Sequence, residues 1–227
     1  MGLKAFIINT TLKKSPQVSN TQALIDKAMR LYNELGVETE CVRFVDYNVA
    51  TGVTSYEGPG DEWPTILEKI KACDIFVIGS PIWFGVRAST TQRVIERLDG
   101  TYDEMDMTTG QFPLYNKVAG IIITGNEDGA HNVAETTLFN LTHLGCCVPP
   151  NVDAYWVGTA GPGPSYIEAG GEKHLYTNRC VRYMVHNTTF MARLLKEHPI
   201  TTNLAELTAE AKKESELSDM HPHKLPG

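Results

Sequence analysis

The sequence predicts an α/β domain built on a mainly parallel sheet, and three observations carry that expectation. The apolar runs LKAFIIN (3–9), DIFVIGS (74–80) and KVAGIIITG (117–125) have the length and unbroken hydrophobicity of strands buried on both faces. Amphipathic helical patterns alternate with them along the chain, as crossovers between parallel strands require. At 227 residues, 42% hydrophobic and 21% charged, the chain can bury one large core.

Each element has a local reason. The opening MGLKAFIIN has too short an apolar core for a secretory signal and reads as the first strand. In the first helix, Leu24, Ala28, Leu31 and Leu35 recur on one face, with Ser19, Asn20 and Thr21 as capping candidates and Gly36 as the stop. VETECVRF (37–44) alternates like a strand, and residues 46–62 are irregular. EWPTILEKIKAC reads as a helix with Pro64 in its first turn. The 74–80 strand ends in the turn GSPIWFG, followed by the helix STTQRVIERLDG. TYDEMDMTTGQFPLYN is a loop long enough to need a task.

After the 117–125 strand, Ala134, Leu138 and Leu141 mark a fourth helix. CCVPPNVDAYWVG holds the last strand, and a Gly/Pro loop (158–171) leads to a long helix at 176–197. One domain is expected over 1–198, with a partly helical, charged extension over 199–227.

Composition excludes several classes. A net charge of −7 without a Lys/Arg cluster argues against nucleic acid and anionic membranes as partners. No apolar stretch approaches the roughly 20 residues of a spanning helix. Five cysteines without a C-x-x-C or zinc-type spacing read mostly as buried small hydrophobes in a reducing cytoplasm. No metal site is expected: HPHK (221–224) reads as a solvated terminus.

Open parallel sheets bind ligands beyond the carboxyl ends of their strands. Three segments of this sequence should meet there: 10–21, 80–89 and 124–131. The first offers Thr10, Thr11, Lys13, Ser19, Asn20 and Thr21 where a helix begins, which suits a phosphate as well as it suits simple capping. It lacks G-x-x-x-x-G-K-[ST] and G-x-G-x-x-G, which excludes a Walker loop and counts against a dinucleotide fold. The second places Trp83 and Phe84 beside a turn, either to pack under a neighbour or to wall in a planar ring. The third, TGNEDGAH, is a small polar turn able to read the edge of a heterocycle. Together they describe a site for a phosphorylated planar heterocycle.

The Ser/Thr loop ending SNT, the SP-x-aromatic turn in GSPIWFG and the Gly-rich TGNEDGAH resemble the NAD(P)H-dependent FMN reductase family, over roughly residues 3–157. Its flavodoxin-like relatives include WrbA-type quinone reductases and iron–sulfur flavoproteins. RVIERLDG also resembles the family helix that ends in an Asp-Arg pair, although here Arg97 precedes Asp99.

The resemblance implies a five-stranded parallel sheet of order 2-1-3-4-5 with helices on both faces. It implies FMN as cofactor, its phosphate held by Thr10, Lys13, Ser19, Asn20 and Thr21. Pro81, Ile82, Trp83, Phe84 and Gly85 would line the ring, and Thr124, Gly125, Asn126, Glu127, Asp128 and Gly129 would meet its pyrimidine edge. NADPH or NADH would be the electron donor in a ping-pong reaction, with a quinone, flavin, azo or nitro compound as acceptor. His131 is the candidate proton source. A homodimer or homotetramer is the expected assembly.

Two departures stand out: SPQV lengthens the first loop, and the iron–sulfur members' cysteine cluster is missing from NVATGVTSYEGPGDEW. A flavodoxin-type electron carrier and a flavin-free scaffold are the alternatives.

Overall fold

The computed structural model describes residues 2–215. HPHK and the last part of the expected extension, 216–227, lie outside the described residues.

In chain order the elements are β1 (Leu3–Asn9), α1 (Asn20–Glu34), β2 (Val37–Arg43), α2 (Trp63–Ala72), β3 (Ile75–Trp83), β4 (Val86–Arg87) and α3 (Ser89–Asp99). They continue with β5 (Val118–Thr124), α4 (Ala130–His143), β6 (Asp153–Trp156), α5 (Leu175–Glu197) and α6 (Leu204–Glu214). The sheet order is β2-β1-β3-β5-β6, with every neighbouring pair parallel. This is the expected 2-1-3-4-5 arrangement, to which the chain adds β4, antiparallel to the end of β3.

Alternate strand residues feed two cores. Ala5, Ile7, Ile75, Val77 and Ile122 pack under α1 and α5, whereas Phe6, Ile8, Phe76, Ile78 and Ala119 pack under α2, α3 and α4. Where α1 meets α5, Tyr32 Oη and Thr188 Oγ1 lie 2.7 Å apart, giving both buried hydroxyls a partner.

β3 corrects one expectation. It does not stop at Ser80 but keeps pairing with β5 as far as Pro81 opposite Thr124, then folds back as a hairpin with Ile82 opposite Arg87 and Trp83 opposite Val86. Phe84 (φ 49°) and Gly85 (φ 77°) form its two-residue tip. Left-handed backbone at both tip positions matches the twist of a tight hairpin.

The irregular 46–62 segment is organised by one buried cation. Arg97, fully buried on α3, donates from Nη1 and Nη2 to the Asp61 carboxylate at 3.0 and 2.7 Å. It also donates to the carbonyls of Ala50 (2.9 Å) and Thr54 (3.0 Å). Its guanidinium lies 5.6 Å from the centre of the Trp63 ring. These bonds hold the Asp61 carboxyl well below the usual carboxylate range, the Arg97 contact being the main cause.

The long segment 101–116 has a task too. Thr109 O accepts from Leu204 N (2.7 Å), and Gln111 Nε2 donates to the carbonyls of Ile200 and Thr202, so this loop docks the start of α6. None of the five cysteines is in a disulfide. Only Cys73 and Cys146 are buried, while Cys41, Cys147 and Cys180 are half-buried, which corrects the expectation that most are enclosed. Among the described residues no helix is long and apolar enough to cross a membrane.

Candidate functional site

A cleft of about 150 Å³ opens at the carboxyl ends of β1, β3 and β5. Of the residues expected to bind the cofactor, Lys13, Asn20, Thr21, Pro81, Ile82, Trp83, Thr124, Gly125, Asn126 and Glu127 line it. All three segments are therefore represented.

Close backbone approach makes this convergence possible. A Cβ on Gly79 would lie 2.5 Å from Ile25 Cδ1 and 3.1 Å from Thr21 Cγ2, so the glycine lets α1 settle closely against the end of β3. Thr21 then meets Thr124, hydroxyl to hydroxyl, at 2.8 Å. Both are buried, and the pair ties the start of α1 to the end of β5 beneath the cleft. Gly129 sits at φ 119°, and a Cβ there would fall 2.4 Å from the Gly85 carbonyl oxygen, so the 124–129 loop lies directly against the hairpin tip. Glu127 Oε1 strengthens that contact by accepting from Phe84 N at 2.9 Å.

At one end of the cleft stands the N-terminus of α1, whose first N–H groups have no partner within the helix. Ser19 is the cap: its hydroxyl accepts from Gln22 N at 3.1 Å. No acidic residue occupies the first turn, so an anion would meet no carboxylate there. Arg43 holds the 10–19 loop by donating to the carbonyls of Lys13 (3.2 Å) and Gln17 (2.8 Å). At the other end, Trp83 is 49% exposed, with one part against the cleft and the other open to solvent.

The remaining expected residues lie off the cleft. Thr10 is fully buried and faces α3, bonded to Gly79 O (2.8 Å) and Thr91 Oγ1 (2.6 Å). Its hydroxyl belongs to a buried ladder that continues from Thr91 to Ser80 Oγ at 2.8 Å. Ser19 is occupied as the cap. Phe84 is 93% exposed at the hairpin tip beside Gly85. The Asp128 carboxylate accepts from Gly129 N at 2.7 Å, a turn bond. His131 lies on the surface of α4, its Nε2 3.2 Å from Tyr155 Oη, which in turn lies 3.0 Å from Tyr176 Oη. None of these is a lining residue.

Sequence reasoning missed three lining residues, Leu12, Ser165 and Tyr166, and named Thr11 in the first loop without assigning it to the cofactor. Leu12 adjoins Lys13 and was within reach of the same argument. Ser165 and Tyr166 belong to the Gly/Pro loop after β6, and no local pattern connects that loop with the first helix. Tyr166 is 2% exposed and stands edge-on to Trp156, and burial pushes its hydroxyl up from the ordinary tyrosine value.

A profile of the NADPH-dependent FMN reductase family matches residues 3–159. The chain belongs to that family. An 8-demethyl-8-aminoriboflavin-5'-phosphate synthase of Streptomyces davaonensis is 48% identical over 95% of this chain and 87% of its own length. The crystal structure of RosB with bound 8-demethyl-8-formylriboflavin-5'-phosphate covers 100% of this chain and 95% of its own, at 44% identity and a TM-score of 0.87. FerB, a flavoenzyme NAD(P)H:acceptor oxidoreductase of Paracoccus denitrificans, shares the fold at 13% identity, with a TM-score of 0.54 over 87% of this chain and 100% of its own. The fold is flavodoxin-like, and this family is one of FMN-dependent oxidoreductases.

Proposed function

We propose that the cleft binds riboflavin 5'-phosphate and that the protein is an FMN-dependent oxidoreductase, reduced by NADPH or NADH and reoxidised by a small-molecule acceptor. The observation that carries this reading is the meeting of an acid-free helix N-terminus, a half-exposed tryptophan and a polar loop in one cleft. When bound, FMN supplies reversible electron transfer that no side chain here provides. The chain's own residues bind and orient it. Asn20, Lys13 and the first N–H groups of α1 hold the phosphate, Ile82 and Trp83 wall the ring, and the 124–127 segment meets its polar edge.

No acid or base is assigned. His131, the earlier candidate, is bonded to Tyr155 and is not a lining residue. Donor and acceptor must use the same open side of the ring in turn, which favours ping-pong kinetics.

A second reading is supported by the similarity to the Streptomyces synthase and to the RosB complex. Here the flavin phosphate is the substrate, altered at its C8 substituent, and is not a retained carrier. One experiment separates the two. The purified protein is loaded with FMN, and its absorption spectrum is followed after anaerobic NADPH or NADH. In parallel, the flavin is recovered after aerobic incubation with an amine donor and weighed by mass spectrometry. Bleaching with unchanged flavin mass supports the first reading, and a new flavin mass supports the second. Failure to take up FMN overturns both.

A further inference from the structure

The segment between β6 and α5 reaches across the cleft. It lies almost wholly beyond the residues matched to the family, 3–159, yet Ser165 and Tyr166 line the site. It is a fixed strap, turned on itself by Ala169 N donating to Ser165 O and Gly171 N donating to Tyr166 O, both at 2.8 Å. The buried Tyr166 ring pins it to the sheet.

Two hydrogen bonds leave the strap for the site. Ile167 N–H donates to Asn20 Oδ1 at 2.9 Å, and Asn126 Nδ2 donates to the Gly163 carbonyl at 2.7 Å. These two bonds fix the sense of both amides. A backbone N–H can only donate, so the atom of Asn20 that faces Ile167 is its oxygen. A carbonyl can only accept, so the atom of Asn126 that faces Gly163 is its nitrogen. Among the described residues, Asn20 Nδ2 and Asn126 Oδ1 have no hydrogen-bond partner. One amide is left with its donor end at the N-terminus of α1, the other with its acceptor end at the close of β5.

We propose that this strap is a specificity element: by locking Asn20 and Asn126 in opposite senses, it selects a ligand with an anionic phosphate at one end and an N–H-bearing heterocycle edge at the other. Ile167 and Gly163 are positioning residues that act through their backbone. The inference rests on the flavin-binding reading and deepens it, since it makes the cleft prefer the phosphorylated flavin over riboflavin.

The test compares FMN with riboflavin by fluorescence titration. Asn20→Asp keeps an oxygen for Ile167 N–H, replaces the donor with a carboxylate oxygen, and leaves an acidic residue where a helix tolerates one. Loss of a charge-assisted hydrogen bond should weaken FMN about 10- to 100-fold while riboflavin changes by less than about twofold. Asn126→Asp cannot donate to Gly163 and should weaken both flavins alike, leaving their ratio unchanged. Ile167→Pro removes the strap's donor and should lower the FMN-to-riboflavin preference in protein whose circular dichroism is intact. If that variant does not fold, the two asparagine variants decide.

Equal losses of both flavins in Asn20→Asp, or no loss of either, would overturn the inference while leaving the functional reading in place. A wild-type protein that binds neither flavin would remove both.

Discussion

Replacing Arg97 with leucine removes the cation around which residues 46–62 are organised. The side chain is fully buried, and its partner Asp61 is 1% exposed at the side chain. The variant leaves the carboxylate with only the backbone N–H groups of Ala50 (3.2 Å), Glu57 (3.0 Å) and Trp63 (3.2 Å), and strips a donor from the Ala50 and Thr54 carbonyls. Breaking a buried pair by removing one partner costs about 3–5 kcal/mol. For a chain of this size that corresponds to a fall in Tm of roughly 6–20 °C.

The pH dependence follows from the depressed Asp61 carboxyl. A group whose folded value lies below its unfolded one stabilises the protein above the unfolded value, about 3.9 for aspartate, and that contribution is lost as pH falls towards the folded value. Without Arg97 the main cause of the depression is gone, and only the three backbone N–H groups still lower it. The stability gap between wild type and variant should therefore be widest near neutral pH and narrow below about pH 4. Urea unfolding followed by far-ultraviolet circular dichroism at several pH values measures it. A loss below about 1 kcal/mol, the range of an exposed pair, or a gap independent of pH, would refute the reasoning. The double variant Arg97→Met/Asp61→Leu should recover only part of the loss, because it removes the unpaired charge but leaves the backbone groups of Ala50, Thr54, Glu57 and Trp63 without their side-chain partners.

Gly129→Ala should destabilise the fold and weaken FMN binding together, since its Cβ would lie 2.4 Å from the Gly85 carbonyl at a left-handed φ; unchanged flavin affinity would detach the hairpin from the site. Tyr166→Phe removes a buried hydroxyl that has no hydrogen-bond partner among the described residues. Thermal stability should stay level or rise by about 1 kcal/mol, and a clear loss would reveal a partner for that hydroxyl. Burial pushes the Cys41 thiol up to about 11 and the Cys73 thiol up to about 12, so both should react far more slowly with a disulfide reagent at pH 8 in folded than in urea-unfolded protein. Equal rates would contradict the packing around them.

The sheet was legible because its strands are apolar without interruption, and parity then divides their residues between the two cores. The hairpin was not. Pro81 and Gly85 read as punctuation, and Phe84-Gly85 lacks the Asn-Gly signature of such a turn. Thr10 was misplaced for a related reason: it stands at the expected loop, but nothing local reveals that its hydroxyl turns to Thr91, 81 residues away. Asn20 and Asn126 could be placed at the site from their positions in the chain. The direction each amide faces depends on Gly163 and Ile167, contacts 37 and 147 residues distant that leave no periodic trace.

The docking of α6 has a mechanical consequence. The helix buries no residue, and its start is held by main-chain bonds to Thr109 and by Gln111. Segments with so little apolar contact open at a small fraction of the global unfolding free energy. Amide exchange should therefore strip α6 of protection long before β3 and β5 lose theirs, and a protease nick near Thr201 should release the terminal piece from a sheet that stays intact.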